Sequence, residues 1–215
     1  MKTRMIVPCI ALLLTVAAAG FAADAPKTAP PKPAGTDLKI DQPDSGWHHA
    51  SGKPLTLVDD PLAKHTGKVV EIPEALNMWL LNMNPVEAKD SVTLSYDAYV
   101  PDGNMQVAFA SNLAGPDQFK GYFLGIDKNR TLGLSARLGL TGPWEGLGES
   151  ATKLPVGWVR LKITVFKDGT INVFANDDLY IEKTDKRIPL APNWINFQSN
   201  GDGKKYVANA FLEVK

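Results

Sequence analysis

The residues best suited to chemistry in this chain are its five tryptophans, Trp47, Trp79, Trp144, Trp158 and Trp194, and the polar side chains spaced among them. A sugar ring presents C–H groups on its flat faces and hydroxyls at its rim. It is held by an aromatic platform bordered by hydrogen-bonding groups. Trp144 has the most suitable surroundings, in LTGPWEGLGES (140–150), which reads as a glycine-rich loop carrying Glu145 and Glu149. Trp79 falls in an apolar run and is assigned to the core. Trp158, after Gly157, opens a strand at an edge, while Trp47 and Trp194 suit either role. Trp144, Tyr99, Arg137, Gln198 and Trp194 are the candidate ligand-binding residues, with Gln106 completing a polar face. The same mixture also suits an ordinary solvated sheet face.

Catalytic and metal chemistry have thinner support. Glycoside hydrolysis needs two carboxyl groups roughly 5–10 Å apart, and Asp97 and Glu145 are the candidates for that role. Glu145 and Glu149 alone fix no geometry in a glycine-rich loop. No Gly-x-Ser-x-Gly elbow is present, and the chain has three histidines. His48 and His49 are adjacent, so in a strand they point to opposite faces; His65 lies in a loop near Asp59 and Asp60. A structural calcium is the one cofactor with candidate ligands, in Asp59-Asp60, Asn176-Asp177-Asp178 and Asn200-Gly201-Asp202. Those residue types are also what tight turns require. Asn129-Arg130-Thr131 matches an N-glycosylation acceptor.

These side chains sit on short alternating segments. SVTLSYDAYV (91–100), MQVAFAS (105–111), GYFLGID (121–127), LGLSARL (132–138), WVRLKITVF (158–166), INVFAND (171–177), WINFQS (194–199) and VANAFLEV (207–214) are separated by turn residues. LTLV (55–58), KVVEI (68–72) and MWLLNM (78–83) add strands to a less periodic stretch. This pattern predicts an all-β fold, an antiparallel β-sandwich. Alternation places Val92, Leu94, Tyr96, Ala98 and Val100 on one face, with Thr93, Ser95, Asp97 and Tyr99 opposite. Likewise Val159, Leu161, Ile163 and Val165 oppose Arg160, Lys162, Thr164 and Phe166, and Ile195 and Phe197 oppose Trp194, Asn196 and Gln198.

The ends bound the compartment. Lys2 and Arg4 precede an apolar Ile6–Val16 stretch too short to span a bilayer, and Gly20-Phe21-Ala22 offers a cleavage site. Residues 1–22 are expected to be a signal peptide, 23–37 a Pro/Ala-rich linker, and 38–215 the sandwich. Loss of Lys2 and Arg4 takes 23 basic residues to 21 against 23 acidic ones, a net charge of −2. That gives no basic excess for nucleic acid or an anionic membrane surface. The single cysteine, Cys9, leaves with the leader, which excludes disulfides and thiolate chemistry from the mature chain.

Three segments carry a family resemblance: DDPLAKHTGKVVEI (59–72), VGWVRLKITVFKDGTINVFAND (156–177) and WINFQSNGDGKKYVANAFLEV (194–214), the last read as a closing hairpin. Over residues 46–215 the chain resembles the concanavalin A-like lectins and glucanases. Its closing segments are most similar to the 3-keto-disaccharide hydrolase domain. The resemblance implies a jelly-roll sandwich. Glucanases of that superfamily carry a Glu-x-Asp-x-x-Glu series on one strand, and this chain has none. The expected function is therefore binding of an oligosaccharide or polysaccharide, without catalysis, by a secreted or periplasmic monomer with no membrane span once the signal is removed. A glycoside hydrolase and a protein-interaction scaffold are the alternatives.

Overall fold

The computed structural model describes residues 35–42, 45–49, 56–72, 78–82, 87–101, 104–113, 119–139, 142–199, 201 and 203–215, with backbone alone at 48–49, 78–82, 110–113 and 119. The expected leader, most of the linker, Asn200 and Asp202, and the side chains of Trp79, His48 and His49 lie outside the described residues. Every regular element among the described residues is a strand, and every pairing is antiparallel. One sheet has eight strands. Its order is β13 (Asp178–Thr184), β12 (Thr170–Ala175), β11 (Val159–Phe166), β6 (Ser91–Tyr99), β15 (Lys205–Val214), β4 (Lys68–Ile72) and β3 (Thr56–Asp59). The eighth, β1 (Thr36–Asp37), pairs with β15 and brings the chain into the sheet just before Leu38. The other sheet has seven strands. They run β10 (Trp144–Glu149), β9 (Leu132–Leu138), β8 (Phe119–Ile126), β7 (Met105–Leu113), β14 (Trp194–Ser199), β5 (Met78–Asn82) and β2 (His48–His49).

The expected sandwich forms because the apolar stripes of the two sheets bury each other. Val92, Leu94 and Tyr96 of β6, and Leu161 and Ile163 of β11, share one core with Val107, Phe109, Leu124 and Phe197 from the other sheet. Each fully buried aliphatic or Phe side chain contributes roughly 1.5–3 kcal/mol. Phe197 joins the layers, edge-on to Tyr96 at 5.0 Å and 5.5 Å from the Trp47 ring. Trp47 belongs to the core, with its Nε1 donating to the Leu38 carbonyl at 2.9 Å.

Three segments depart from the sequence reading. Residues 144–149, expected as a loop, form β10, an edge strand on β9 with a bulge between Gly146 and Gly148. A side chain at Gly148 would place its Cβ 2.5 Å from Lys183 Cε, so glycine lets this edge close on β13. Residues 178–184 form β13, a charged edge strand whose exposed pattern hides its alternation. Residues 194–214 are not a hairpin, since β14 and β15 belong to different sheets.

Lys205 holds that crossover. The side chain is fully buried, and its Nζ donates to Ser199 Oγ (2.9 Å), the Gly201 carbonyl (2.9 Å) and the Gly203 carbonyl (2.6 Å). Gly201 and Gly203, at φ 123° and 80°, turn those carbonyls inward. Lys205→Met removes the donor from the buried Ser199 hydroxyl and from two partly buried carbonyls. It is expected to cost about 3 kcal/mol, read as a lower urea midpoint; an unchanged midpoint contradicts this role.

Candidate functional site

The outer face of the seven-stranded sheet is built by the residues that alternate with its core stripe. Cross-strand register lines up Gln198, Gln106, Gly125, Gly133 and Glu149 from β14 to β10. At about 4.8 Å per strand this row spans roughly 19 Å. The neighbouring row runs Asn196, Ala108, Phe123, Ser135 and Gly146, and a third brings Arg137 opposite Trp144. Gly125, Gly133 and Gly146 expose bare backbone where other strands carry side chains. A Cβ at Gly133 or Gly146 would meet nothing within 4 Å, and one at Gly125 the flank of Gln106 at 3.6 Å and the Gly133 carbonyl at 3.7 Å, both ordinary contacts. The result is a trough of about 520 Å³ floored by glycine and lined by Gln106, Ser135, Asp127 and Glu149.

An aromatic wall stands beside the trough. Trp144 is 47% exposed, two residues from Gly146 on the same face. Phe123 meets its ring edge-on at 4.5 Å, and the Arg137 guanidinium lies 5.0 Å from its centroid. Arg137 is held in turn, its Nε donating to the Gly142 carbonyl at 3.3 Å. Trp194 is nine-tenths buried against Ala108 and Phe123, so it supports the wall and offers no platform itself. A half-exposed indole braced from below and a strip of hydrogen-bonding groups suit a ring with apolar faces and hydroxyl edges.

The outer face of the eight-stranded sheet is chemically richer but closed. The β3–β4 loop folds back over β15 and sets His65 between two carboxylates. Its Nδ1 lies 2.9 Å from Asp60 Oδ2 and its Nε2 3.0 Å from Asp97 Oδ2. Asp97 also accepts from Arg160 Nη1 (3.0 Å) and Asn209 Nδ2 (2.7 Å). Arg160 donates further to Ser95 Oγ and the Asn209 carbonyl. Asp60 accepts from the N–H groups of Leu62, Lys64 and His65 and from Trp158 Nε1. Burial alone would raise its pKa, but the bonds from Leu62, Trp158 and His65 outweigh it and hold the carboxyl well below the usual range. Trp158 completes the lock, 4.3 Å edge-on to His65 and 5.9 Å from Tyr99, which stacks on Tyr206. These groups satisfy one another and bind the loop to the sheet.

The sequence-derived candidates therefore divide. Trp144, Arg137, Gln198, Gln106 and Trp194 share the face with the trough, while Asp97 and Tyr99 lie on the opposite sheet. Period-two alternation assigns a face within a strand but not the sheet to which the strand belongs. Glu145, its side chain 44% exposed at the β10 edge, pairs with Arg187, which also holds Asp185 at 2.5 Å, so Glu145 is engaged in a surface ion pair. Trp158 packs on the outer face rather than a sandwich edge. Asp59 is exposed and paired with Lys68 at 2.7 Å, Asp60 is saturated by donors, and Asp178 follows the Asn176–Asp177 turn, where φ is 49° and 71°. Among the described residues no group of three His, Asp or Glu side chains is placed to hold a metal. The sequence reading missed the glycine floor and His65 as a bridge. The glycines occupied the polar positions of their alternating strands, which was the available signal.

No protein-family model and no curated protein matches this chain. Solved structures do. The carbohydrate binding module CBM66 from Bacillus subtilis superposes with a TM-score of 0.55 at 17% identity, covering 78% of this chain and 95% of that one. A Bacillus subtilis protein of unknown function with a galectin-like fold gives 0.58 at 13% identity, over 81% and 93%. The cellulose induced protein Cip1 gives 0.58 at 11%, over 85% and 98%. The all-β antiparallel sandwich is thus a fold shared with these structures.

Removing the Asp60 charge tests the closed cluster. Its lowered folded pKa means that its stabilisation is full above the ordinary value of 3.8 and is lost as pH falls toward the folded one. Asp60→Asn is expected to cost about 2 kcal/mol at pH 7, with a flatter decline in stability below pH 4. Unchanged thermal melts from pH 7 down to 2 would contradict the lock.

Proposed function

We propose that this is an exported carbohydrate-binding protein that takes an oligosaccharide or polysaccharide chain in the glycine-floored trough without cleaving it. The observation carrying the proposal is the half-exposed Trp144 indole beside that trough, braced by Phe123 and Arg137. The glycines let a bulky ring approach the backbone, and Gln106, Ser135 and Gln198 offer both donors and acceptors to its hydroxyls. The likeness in fold to a carbohydrate binding module supports the ligand class. The leader-like residues 1–22 support export.

Hydrolysis of the kind the 3-keto-disaccharide resemblance implies has less behind it. Asp97 cannot act with Arg137 or Glu145, which belong to the other sheet. The trough itself carries Asp127 and Glu149, but Asp127 is committed to its turn. It accepts from the Asn129 and Thr131 N–H groups at 2.9 and 2.7 Å and from Asn129 Nδ2 at 3.3 Å.

Affinity electrophoresis through gels of neutral polysaccharides tests the proposal with two variants. Trp144→Ala removes the platform and is expected to weaken binding about tenfold. Gly133→Leu fills open space in a strand, where losing glycine raises stability by up to about 1 kcal/mol, so binding should vanish while the melting temperature holds or rises. Migration of both variants like the parent in a retarding gel, or retardation by no polysaccharide, contradicts the proposal.

A further inference from the structure

The β8–β9 turn, residues 127–131, separates the trough from a second depression at the end of the sandwich. This cavity, about 270 Å³, is walled by Tyr99, Pro101, Pro155 and Val156 and bordered by Lys128 and Arg130. Val156 is 83% exposed on an otherwise apolar wall. Neither cation enters an ion pair among the described residues, and the nearest carboxylate in sequence, Asp127, is turned to Asn129 and Thr131.

The backbone at Arg130 sharpens the point. Its φ is 65°, a left-handed conformation that disfavours an L side chain and that glycine adopts freely. Arg130 is locked there, its N–H donating to the Asp127 carbonyl at 2.9 Å and its carbonyl accepting from Leu154 N–H at 2.8 Å. Hairpins normally fill such a position with glycine. The guanidinium is therefore carried beside the pocket on a backbone fixed at both its N–H and its carbonyl. Arginine offers a planar donor fork that matches an oxyanion, and lysine adds a mobile charge beside it.

We infer that this pocket is a second binding site, for an anionic substituent of a glycan, a carboxylate or sulfate ester, with the ring's C–H face on Pro155 and Val156. The choice of a glycan rests on the proposed function of the neighbouring trough; the anion preference rests on Lys128 and Arg130 alone. Isothermal titration at low salt compares an oligogalacturonate, its neutral methyl ester and a sulfated oligosaccharide. At least one anionic probe is expected to bind tenfold or more tighter than the neutral ester, and which one does so tells carboxylate from sulfate. Arg130→Gly should abolish that margin without lowering the melting temperature, and Lys128→Gln should reduce it.

Equal affinity for charged and neutral probes, or a margin that survives Arg130→Gly, overturns the second site and leaves the trough reading intact. A margin lost in Arg130→Gly, with affinity for the neutral ester unchanged in Trp144→Ala and Gly133→Leu, overturns the trough reading alone. Binding of no probe overturns both.

Discussion

Register across two facing sheets is the constraint on which the rest of this molecule depends. Each strand has one stripe that must be dry, and a slip of one residue would carry that stripe to the outside. The contact of Phe197 with Tyr96 and Trp47 pins the two layers at their centre. With the inner stripes committed, the outer positions are dictated residue by residue. Gly125 falls opposite Gly133 and Trp144 opposite Arg137 because Leu124 and Ala136 must face inward.

The two outer faces obey the same rule and come to opposite ends. On the eight-stranded sheet the β3–β4 loop is folded down and held by Asp60, His65 and Asp97, with Trp158 packed above. Hydrogen-bonding capacity there is spent on the protein itself. On the seven-stranded sheet three glycines withhold side chains, and the polar groups around them remain turned to an open trough. A network of charged residues in close contact was the more conspicuous feature, yet the emptier face is the one left open.

Much of this was legible in the chain. The alternation of 91–100, 158–166 and 194–199 identifies strands with their correct inner stripes, because an uninterrupted apolar period leaves one choice of face. Gln198 was placed on an outer face for the same reason, whereas Trp144 was singled out as an aromatic in a glycine-rich segment read as a loop. Sheet membership was not legible, so Asp97 and Tyr99 were grouped with residues of the other layer. The turn residues Asn-Gly-Asp-Gly serve a hairpin and a crossover equally, and only the buried Lys205 marks the latter. Edge strands β10 and β13 pair on one side, so glycine and charge masked their period. The bond from His65 to Asp97 joins residues 32 apart in the chain, a distance over which local pattern carries no information.

The glycine-floored face, and not the charged one, is the face proposed to meet carbohydrate. Amide and indole chemical-shift mapping with a bound neutral oligosaccharide tests it directly, because each face carries its own tryptophan reporter. The largest shifts are expected at the Trp144 indole N–H and at the amides of Gly125, Gly133 and Gly146, with the Trp158 indole N–H, bound to Asp60, unmoved. Shifts centred on Trp158, Arg160 and Asn209, with the glycine amides undisturbed, would contradict it.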